Sequence, residues 1–237
     1  MYEDLAYLWP LVSSPDGYAD EARHWRDALR EALGPGRHHL LELGVGGGNN
    51  LSHLTSEFDA TAVDRSERML ENCRRLNPGV RHVVGDMRTV RLGRTFDAVI
   101  VHDAISYLTT EADLAATFAT ARTHLRPGGV LVTAPDHFRE TFRDGEVYHR
   151  TRSDGRVTLT HVSYEWDPDP TDTVVEGVHL FLVREGPTLR VVEDRHACGL
   201  FPLATWLAEM SRLGFDVSTR PYPVHEDGRE AYLLVGR

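Results

Sequence analysis

Lysine is absent from the 237-residue sequence, and all 26 of its basic residues are arginines. Schiff-base and pyridoxal chemistry need a lysine amine, and a P-loop needs a lysine that reaches the phosphates, so these enzyme classes are excluded. Cysteine is rare as well. Cys73 and Cys198 match no zinc, redox or disulfide spacing, and this usage is typical of a protein from a reducing cytoplasm.

Long apolar runs and a secretory leader are also missing. No stretch of about 18 apolar residues occurs, and the first residues do not form a basic segment followed by an apolar one. The 36 acidic residues outnumber the 26 basic ones, and the net charge of -10 repels phosphate backbones and anionic membranes. We therefore expect a small-molecule substrate, with neither nucleic acid nor a membrane as a partner.

Short apolar segments alternate with helical periodicity along the first part of the chain. An amphipathic helix is predicted over residues 18–33, because apolar residues recur there at helical spacing before Gly34. The strands predicted next are 39–43, 60–63, 80–84, 98–101 and 130–134, with helices around 49–57, 66–75 and 111–124. This alternation predicts an α/β fold whose parallel strands are covered on both faces.

After Pro135 the pattern changes to alternating polar and apolar residues. Two or three antiparallel strands are predicted within 156–165, 173–184 and 189–196, then a helix over 202–213 and closing strands at 215–219 and 231–235. The sequence thus predicts a doubly wound, mostly parallel seven-stranded sheet with an antiparallel strand insertion after strand five. The expected parts are an N-terminal helical cap (1–38), an α/β core (39–136), the insertion (137–198), and a C-terminal helix with the closing strands (199–237).

A glycine-rich turn follows the first predicted strand. Glu42 precedes Gly44, Gly46 and Gly48, and glycines at such a strand-to-helix turn let the backbone approach a ligand closely. A purely structural tight turn has the same pattern. A nicotinamide fingerprint starting at Gly44 needs glycine at position 49, where this sequence has asparagine, so a dinucleotide site is disfavoured.

Carboxylates end the second and third predicted strands. Asp64 lies about 20 residues after the glycine turn, where a carboxylate can accept hydrogen bonds from ribose hydroxyls. Asp86 is placed to accept a hydrogen bond from an adenine amino group, and Met87 to pack on the ring. Taken singly, each acid is equally well a solvated residue at a strand end. Because ligands of parallel sheets bind at the carboxyl ends of the strands, the acids and the turn together predict a site for an adenosyl ligand.

These motifs, with the later segments 96–99 (FDAV) and 125–129 (LRPGG), resemble the class I S-adenosylmethionine-dependent methyltransferases. The resemblance covers residues 39–134 and implies the Rossmann-like methyltransferase fold, the cofactor S-adenosyl-L-methionine and enzymatic methyl transfer. It also implies a set of cofactor-binding residues. These are Glu42, Gly44, Val45, Gly46, Asp64, Arg65, Asp86, Met87 and His102.

The chain is also similar to a narrower group, the nucleotide-linked aminosugar N-methyltransferases of antibiotic deoxysugar biosynthesis. The similarity rests on short segments in the group's order, among them 104–108 (AISYL), 138–145 (FRETFRDG) and 196–201 (HACGLF). Asp136 and His137 replace the tryptophan pair that this group has after strand five, so the pocket is expected to differ there. The resemblance implies substrate-binding residues Tyr2, Tyr7, Trp9, Tyr18, Tyr107 and His137, and catalytic residues Tyr107, His196 and His102.

The sequence is also compatible with other functions. A neutral amine needs only a partly apolar pocket, whereas a hydroxyl acceptor needs a base such as His102, Asp103, His137 or His196. The alternatives are O- or N-methylation of another small metabolite and a non-catalytic S-adenosylmethionine-binding protein. No metal site is predicted, because no pair of potential ligands has metal spacing. The insertion is expected either to cover the substrate or to form a homodimer interface.

Overall fold

The computed structural model describes residues 1–224 and 228–237, which form two sheets. The strands of the large sheet are β1 (His38–Leu43), β2 (Phe58–Asp64), β3 (Arg81–Val84), β4 (Phe96–Val101), β5 (Leu125–Thr133), β10 (Val217–Pro221) and β11 (Tyr232–Gly236). The strands of the small sheet are β6 (Glu146–Ser153), β7 (Val157–Trp166), β8 (Val174–Glu185) and β9 (Thr188–Gly199). Their orders are β10-β11-β5-β4-β1-β2-β3 and β6-β7-β8-β9.

In the large sheet, neighbouring strands from β3 through β2, β1 and β4 to β5 pair in parallel. At the other edge, β11 pairs antiparallel with both β5 and β10. Helices cover both faces, so Leu40, Leu41 and Val99 are fully buried. The helices are α1 (Trp9–Val12), α2 (Ala19–Leu33), α3 (Asn49–Ser52), α4 (Glu67–Leu76), α5 (Glu111–His124) and α6 (Leu203–Arg212). The predicted doubly wound sheet with an antiparallel insertion is confirmed.

Local capping explains where several helices begin and end. The hydroxyl of Ser66 accepts a hydrogen bond from the Met69 amide at the start of α4, and Thr110 does the same for the Asp113 amide at the start of α5. Helix α2 ends at Gly34, whose φ of 77° is readily adopted only by glycine. The ends of these helices are therefore encoded locally.

Two predicted elements differ from the structure. The helix expected over 49–57 is a single α-helical turn, Asn49–Ser52, followed by turns that lead into β2. The small sheet has four strands, where two or three were predicted, because β6 was not recognised. Nearly every residue of β6 is exposed, so this edge strand lacks the buried face that produces an alternating pattern.

The inner face of the small sheet is covered in part by the N-terminal segment, residues 1–18. Leu159, Phe181 and Val183 of this face form an apolar cluster with Leu5 and Leu8. The cluster fixes the N-terminal segment over the space between the two sheets. Within residues 1–224 and 228–237, no helix is both long enough and apolar enough to cross a membrane.

Phe181→Ala is expected to destabilise the protein by about 3–5 kcal/mol, because it leaves a cavity in this cluster. The N-terminal segment should also exchange its amide hydrogens faster. Denaturant unfolding and hydrogen exchange of residues 1–18 measure the two effects. Leu76→Ala, on the partly exposed end of α4, is the control and should change stability by less than about 1 kcal/mol. A loss of less than about 1 kcal/mol for Phe181→Ala contradicts the packing described here.

Candidate active site

The glycine turn after β1 is held against the end of β2. The amides of Gly44 and Val45 both donate to the Val63 carbonyl, at 2.8 and 3.0 Å. Gly44, Gly46 and Gly48 have φ values of 77°, 55° and 77°, a region that other residues rarely occupy. A Cβ atom on Gly44 would overlap Ala104. The turn therefore depends on glycine for its backbone conformation and for its close packing.

Asp64 and Glu42 lie on either side of this turn. The two oxygens of Asp64 accept hydrogen bonds from the Gly46 amide at 2.7 Å and the Ser66 amide at 2.8 Å. A carboxylate has about four acceptor positions, so Asp64 retains capacity for a ligand hydroxyl. Glu42 is only 2% exposed, and burial raises its pKa to about 8, with smaller contributions from Asp103 and Asp64. Its Oε2 atom has no hydrogen-bond partner among the described residues.

The segment after β3 completes the same edge. The Gly85 amide donates to the Asp64 carbonyl at 2.9 Å, and the Met87 sulfur lies beside Gly44. Asp86 forms an ion pair with Arg88 at 2.6 Å, which lowers the pKa of the Asp86 carboxyl. We give the name strand-tip cleft to the edge of the sheet formed by Glu42, Gly44–Gly48, Asp64 and Asp86–Met87.

The N-terminal segment passes over the strand-tip cleft. The Ser66 hydroxyl donates to the Tyr2 carbonyl at 2.6 Å, and the side-chain amide of Asn72 donates to the Ala6 carbonyl at 2.7 Å. The Trp9 indole lies against Gly47, and its Nε1 has no hydrogen-bond partner among the described residues. Trp9 therefore covers the glycine turn from the side opposite the sheet.

An ionic cluster around the buried His102 borders the cleft after β4. His102 Nε2 lies 3.2 Å from carboxylate oxygens of both Glu21 and Asp103, and Trp25 and Tyr18 pack on the His102 ring. Burial opposes a charge on His102, but Asp103 and Glu21 outweigh it and raise the pKa of the imidazole to about 9. Ligand atoms of the three residues lie within 4.8 Å of one another.

A cavity of about 200 Å³ lies next to this cluster, between the ends of β4 and β5 and the small sheet. Tyr107 donates or accepts in hydrogen bonds to the Tyr2 hydroxyl at 2.6 Å and to His196 Nδ1 at 2.7 Å. His196 Nε2 lies 3.1 Å from an Asp194 oxygen. The titratable side chains that line this cavity include Asp103, Asp136, Glu165, Glu176, His137, His179 and His196. We call this space the acidic cavity.

Comparisons with known proteins identify the family. A methyltransferase-domain model matches residues 40–129. The dTDP-3-amino-3,4,6-trideoxy-alpha-D-glucopyranose N,N-dimethyltransferase of Streptomyces venezuelae is 38% identical over 230 residues, which cover 92% of each chain. The chain belongs to the S-adenosylmethionine-dependent methyltransferases.

Solved structures agree with this assignment. The crystal structure of Streptomyces venezuelae DesVI matches this methyltransferase with a TM-score of 0.81 at 33% identity, over 92% of this chain and 91% of that chain. SAM-bound CalS10, an amino pentose methyltransferase from Micromonospora echinaspora, matches with a TM-score of 0.77 at 30% identity, over 93% and 92% of the two chains. The predicted family and the cofactor S-adenosylmethionine are confirmed.

The strand-tip cleft fits this cofactor on its own geometry. A glycine turn free of Cβ atoms, a carboxylate with spare acceptor positions at Asp64 and a buried Glu42 Oε2 without a partner are features that a polar ligand would satisfy. Val45 lies in the core below the turn, and Arg65 is exposed beside Asp64. The predicted cofactor-binding residues are thus gathered around one edge of the sheet.

The predicted acceptor residues divide into groups. Tyr2, Tyr107, His137 and His196 line the acidic cavity of the methyltransferase. Tyr18 and His102 belong to the ionic cluster, and Trp9 covers the glycine turn. Tyr7 lies outside the cavity: it is half exposed and contacts Arg190 on β9, so its predicted role has no support from this geometry.

Several cavity residues were missed by the sequence reasoning. Glu165, Glu176 and His179 come from β7 and β8, whereas Asp136, after β5, was already expected at the pocket from the sequence. Glu165 and His179 lie on the inner face of the small sheet, at positions that alternate with Tyr164 and Val178. The period of two in β7 and β8 was the available signal, but it does not by itself say which face is enclosed.

Glu42→Gln is expected to retain S-adenosylmethionine binding, because the Glu42 carboxyl is largely protonated near neutral pH. Asp64→Asn should weaken binding by about 10- to 100-fold, because it removes a charged hydrogen-bond acceptor. Cofactor-induced thermal shifts and isothermal titration measure both effects. Equal losses in the two variants contradict this division of roles.

A comparison of Glu42→Gln with the natural protein also tests the raised pKa of Glu42. Because its pKa of about 8 in the folded state exceeds the ordinary 4.5, folding becomes less favourable as pH rises between these values. Glu42→Gln removes this penalty, so its stability relative to the natural protein should increase with pH, by up to about 1.4 kcal/mol per unit. Urea unfolding across this range is the measurement. Parallel pH profiles for the two proteins contradict the raised pKa.

Proposed function

We propose that this methyltransferase methylates the amino group of a nucleotide-linked aminosugar. The observation that carries the proposal is the acidic cavity, which opens beside the ionic cluster at the strand-tip cleft and presents carboxylates and phenol oxygens. Groups of this kind attract an amine and its neighbouring sugar hydroxyls. The relatives named above as dTDP-aminosugar and amino pentose methyltransferases support the same acceptor class.

The cofactor would be held by the strand-tip cleft. Asp64 would accept hydrogen bonds from the ribose hydroxyls, Met87 and Asp86 would bind the adenine, and the glycine turn would lie under the methionyl part. S-adenosylmethionine supplies a methyl group on a sulfonium, which is a strong electrophile. The remaining task of the protein is to position the acceptor in line with that methyl group and to exclude water, which is where most of the rate enhancement would originate.

Tyr2 and Tyr107 are proposed to hold the acceptor amine. The Asp194 carboxylate accepts a hydrogen bond from the Nε2–H group of His196, which leaves His196 Nδ1 as an acceptor for the Tyr107 hydroxyl. Tyr107 then accepts from Tyr2. This order of protons leaves oxygen lone pairs of both phenols available to an N–H donor. Burial raises the pKa of both phenols, so they remain neutral and position the amine without taking its proton.

Turnover with matched sugars tests the acceptor. We expect release of S-adenosylhomocysteine with a dTDP-aminosugar and none with dTDP-glucose, which has a hydroxyl at the corresponding position. Turnover with the hydroxyl sugar alone identifies an O-methyltransferase. Cofactor binding without turnover on any acceptor of either type favours a non-catalytic protein.

Tyr107→Phe is expected to leave the cofactor-induced thermal shift unchanged and to reduce turnover by about tenfold or more, because one hydrogen bond to the amine is lost. Tyr7→Phe is the matched control, since Tyr7 lies outside the cavity and its loss should leave turnover unchanged. Initial rates at saturating cofactor measure both. Equal rates for Tyr107→Phe and the natural protein remove Tyr107 from the site.

We also propose that the outer face of the small sheet pairs two copies of the chain. This face presents an apolar row across the strands, including Val162, Leu180, Leu182 and Val191, and Val191 is 61% exposed. Arg184, Glu193 and Arg195 lie at its rim, so two copies related by a twofold axis can pair opposite charges. The centre of this face carries no charged side chain, so pairing two copies there buries none of the charges that give the chain its net charge of -10.

Val191→Arg is expected to convert a dimer into a monomer, because two buried arginines would face each other across the twofold axis. Sedimentation velocity measures the mass. Asp20→Arg, at a side chain of α2 that is 95% exposed and lies outside this face, is the control and should leave the dimer intact. A natural protein that sediments as a monomer at micromolar concentration contradicts the proposal.

A further inference from the structure

Asp136 is the first acidic residue after β5, and its side chain points into the acidic cavity. Its backbone amide donates to the Ser106 hydroxyl at 2.9 Å, which fixes the main chain there. Its carboxylate makes no hydrogen bond to any residue within 1–224 and 228–237. The residue occupies a position where the resemblance to aminosugar N-methyltransferases leads one to expect tryptophan. This carboxylate is therefore available to a ligand.

The surroundings of Asp136 disfavour its negative charge. Its enclosure by the cavity walls and the nearby carboxylate of Asp103 raise the pKa of Asp136 to about 7, with a further contribution from Glu165, although part of the residue stays exposed. His137 and His102 act in the opposite direction. Near neutral pH, Asp136 can thus both accept and release a proton.

The other titratable groups that face the cavity are less suited to this exchange. Glu165 pairs with His137 at 3.2 Å, which holds the pKa of the Glu165 carboxyl below its usual range. Burial lowers the pKa of His179 to about 4, with His196 contributing, so His179 is neutral and a weak base. Burial raises the pKa of the Cys198 thiol, and the Tyr2 and Tyr107 phenols are shifted the same way.

Two acids and one imidazole on the walls complete this environment. Asp103 is bound to the protonated His102, and Glu176 lies on β8 at the cavity wall. His196 is engaged by Tyr107 and Asp194. Of the carboxylates near the phenol pair, Asp136 is the one without a partner within the described residues.

We propose that Asp136 binds the acceptor amine as its ammonium ion and removes one proton from it before each methyl transfer. This proposal rests on the function proposed above. In this step an N–H bond breaks, its electron pair stays on nitrogen as the lone pair that attacks the methyl group, and an O–H bond forms on Asp136. The proton then passes from Asp136 to bulk water. A second methylation repeats the step on the methylated ammonium.

The pH profile of kcat/KM with a dTDP-aminosugar tests the proposal. For the natural protein, kcat/KM should rise about tenfold per unit below pH 7 and level off above it, because the ionised carboxylate is the active form. Asp136→Asn should reduce kcat/KM at pH 7 by about 100-fold. The kcat/KM of Asp136→Asn should recover as the pH approaches the ordinary pKa range of an amine, about 8 to 10. The substrate amine is then neutral in solution and needs no base.

Two variants separate this role from a structural one. Asp136→Glu should restore part of the rate together with a profile levelling near neutral pH, whereas Asp20→Asn, whose side chain is 95% exposed, should match the natural protein. A loss in Asp136→Asn that is equal at every pH, or smaller than about threefold at pH 7, overturns the proposal. A cofactor-induced thermal shift in each variant establishes that the fold is intact.

A titration that needs no turnover distinguishes this proposal from the proposed function. Carbon-13 carboxyl NMR of the complex with S-adenosylhomocysteine, assigned with Asp136→Glu, should show Asp136 titrating near pH 7. Titration near the ordinary value of about 4 overturns the proposal whatever the acceptor is. A natural protein that methylates no aminosugar overturns the proposed function, while the NMR titration still decides whether Asp136 exchanges a proton near neutral pH.

Discussion

The hydrogen bonds between the glycine turn and the end of β2 hold the ligand-binding edge of the sheet together. The Gly44 and Val45 amides share the Val63 carbonyl, and the Gly46 amide is bound by the Asp64 carboxylate. These contacts require glycines with positive φ, because a Cβ would strain the backbone. They place the tips of β1, β2 and β3 around one cleft. The acidic cavity and the N-terminal segment are then positioned relative to that cleft.

The inner face of the small sheet supports the site in two ways. Towards one end, Leu159 and Phe181 anchor the N-terminal segment through an apolar cluster. Towards the other end, Glu165 and His179 line the acidic cavity. Because β8 runs through both regions, the segment that carries Tyr2 and the wall opposite it are fixed by the same strand. The outer face carries none of these contacts.

Enclosure of acidic groups is the recurrent electrostatic feature of the site. Burial raises the pKa of Glu42, and enclosure by the cavity walls together with Asp103 raises that of Asp136, whereas Arg88 lowers the pKa of Asp86 by pairing with it. His102 takes up a proton because the carboxylates of Asp103 and Glu21 outweigh the effect of burial on the pKa of its imidazole. A cavity lined by carboxylates favours a positively charged ligand, because a nearby cation stabilises the ionised form that burial disfavours. An amine acceptor next to a sulfonium cofactor is consistent with that preference.

The sequence by itself determined the glycine turn, the acids at the strand ends, the parallel sheet and the family, because each depends on local patterns. Positive φ selects glycine, and parallel strands bring their carboxyl ends to one edge. Only the tertiary structure decided which side chains line the acidic cavity and that Tyr7 lies outside it. Asp136 and Glu165 come from different sheets, and the face that each strand residue presents is set by pairing between distant segments. Such pairing leaves no local signal, so the acidic cavity emerges only when the two sheets are packed together.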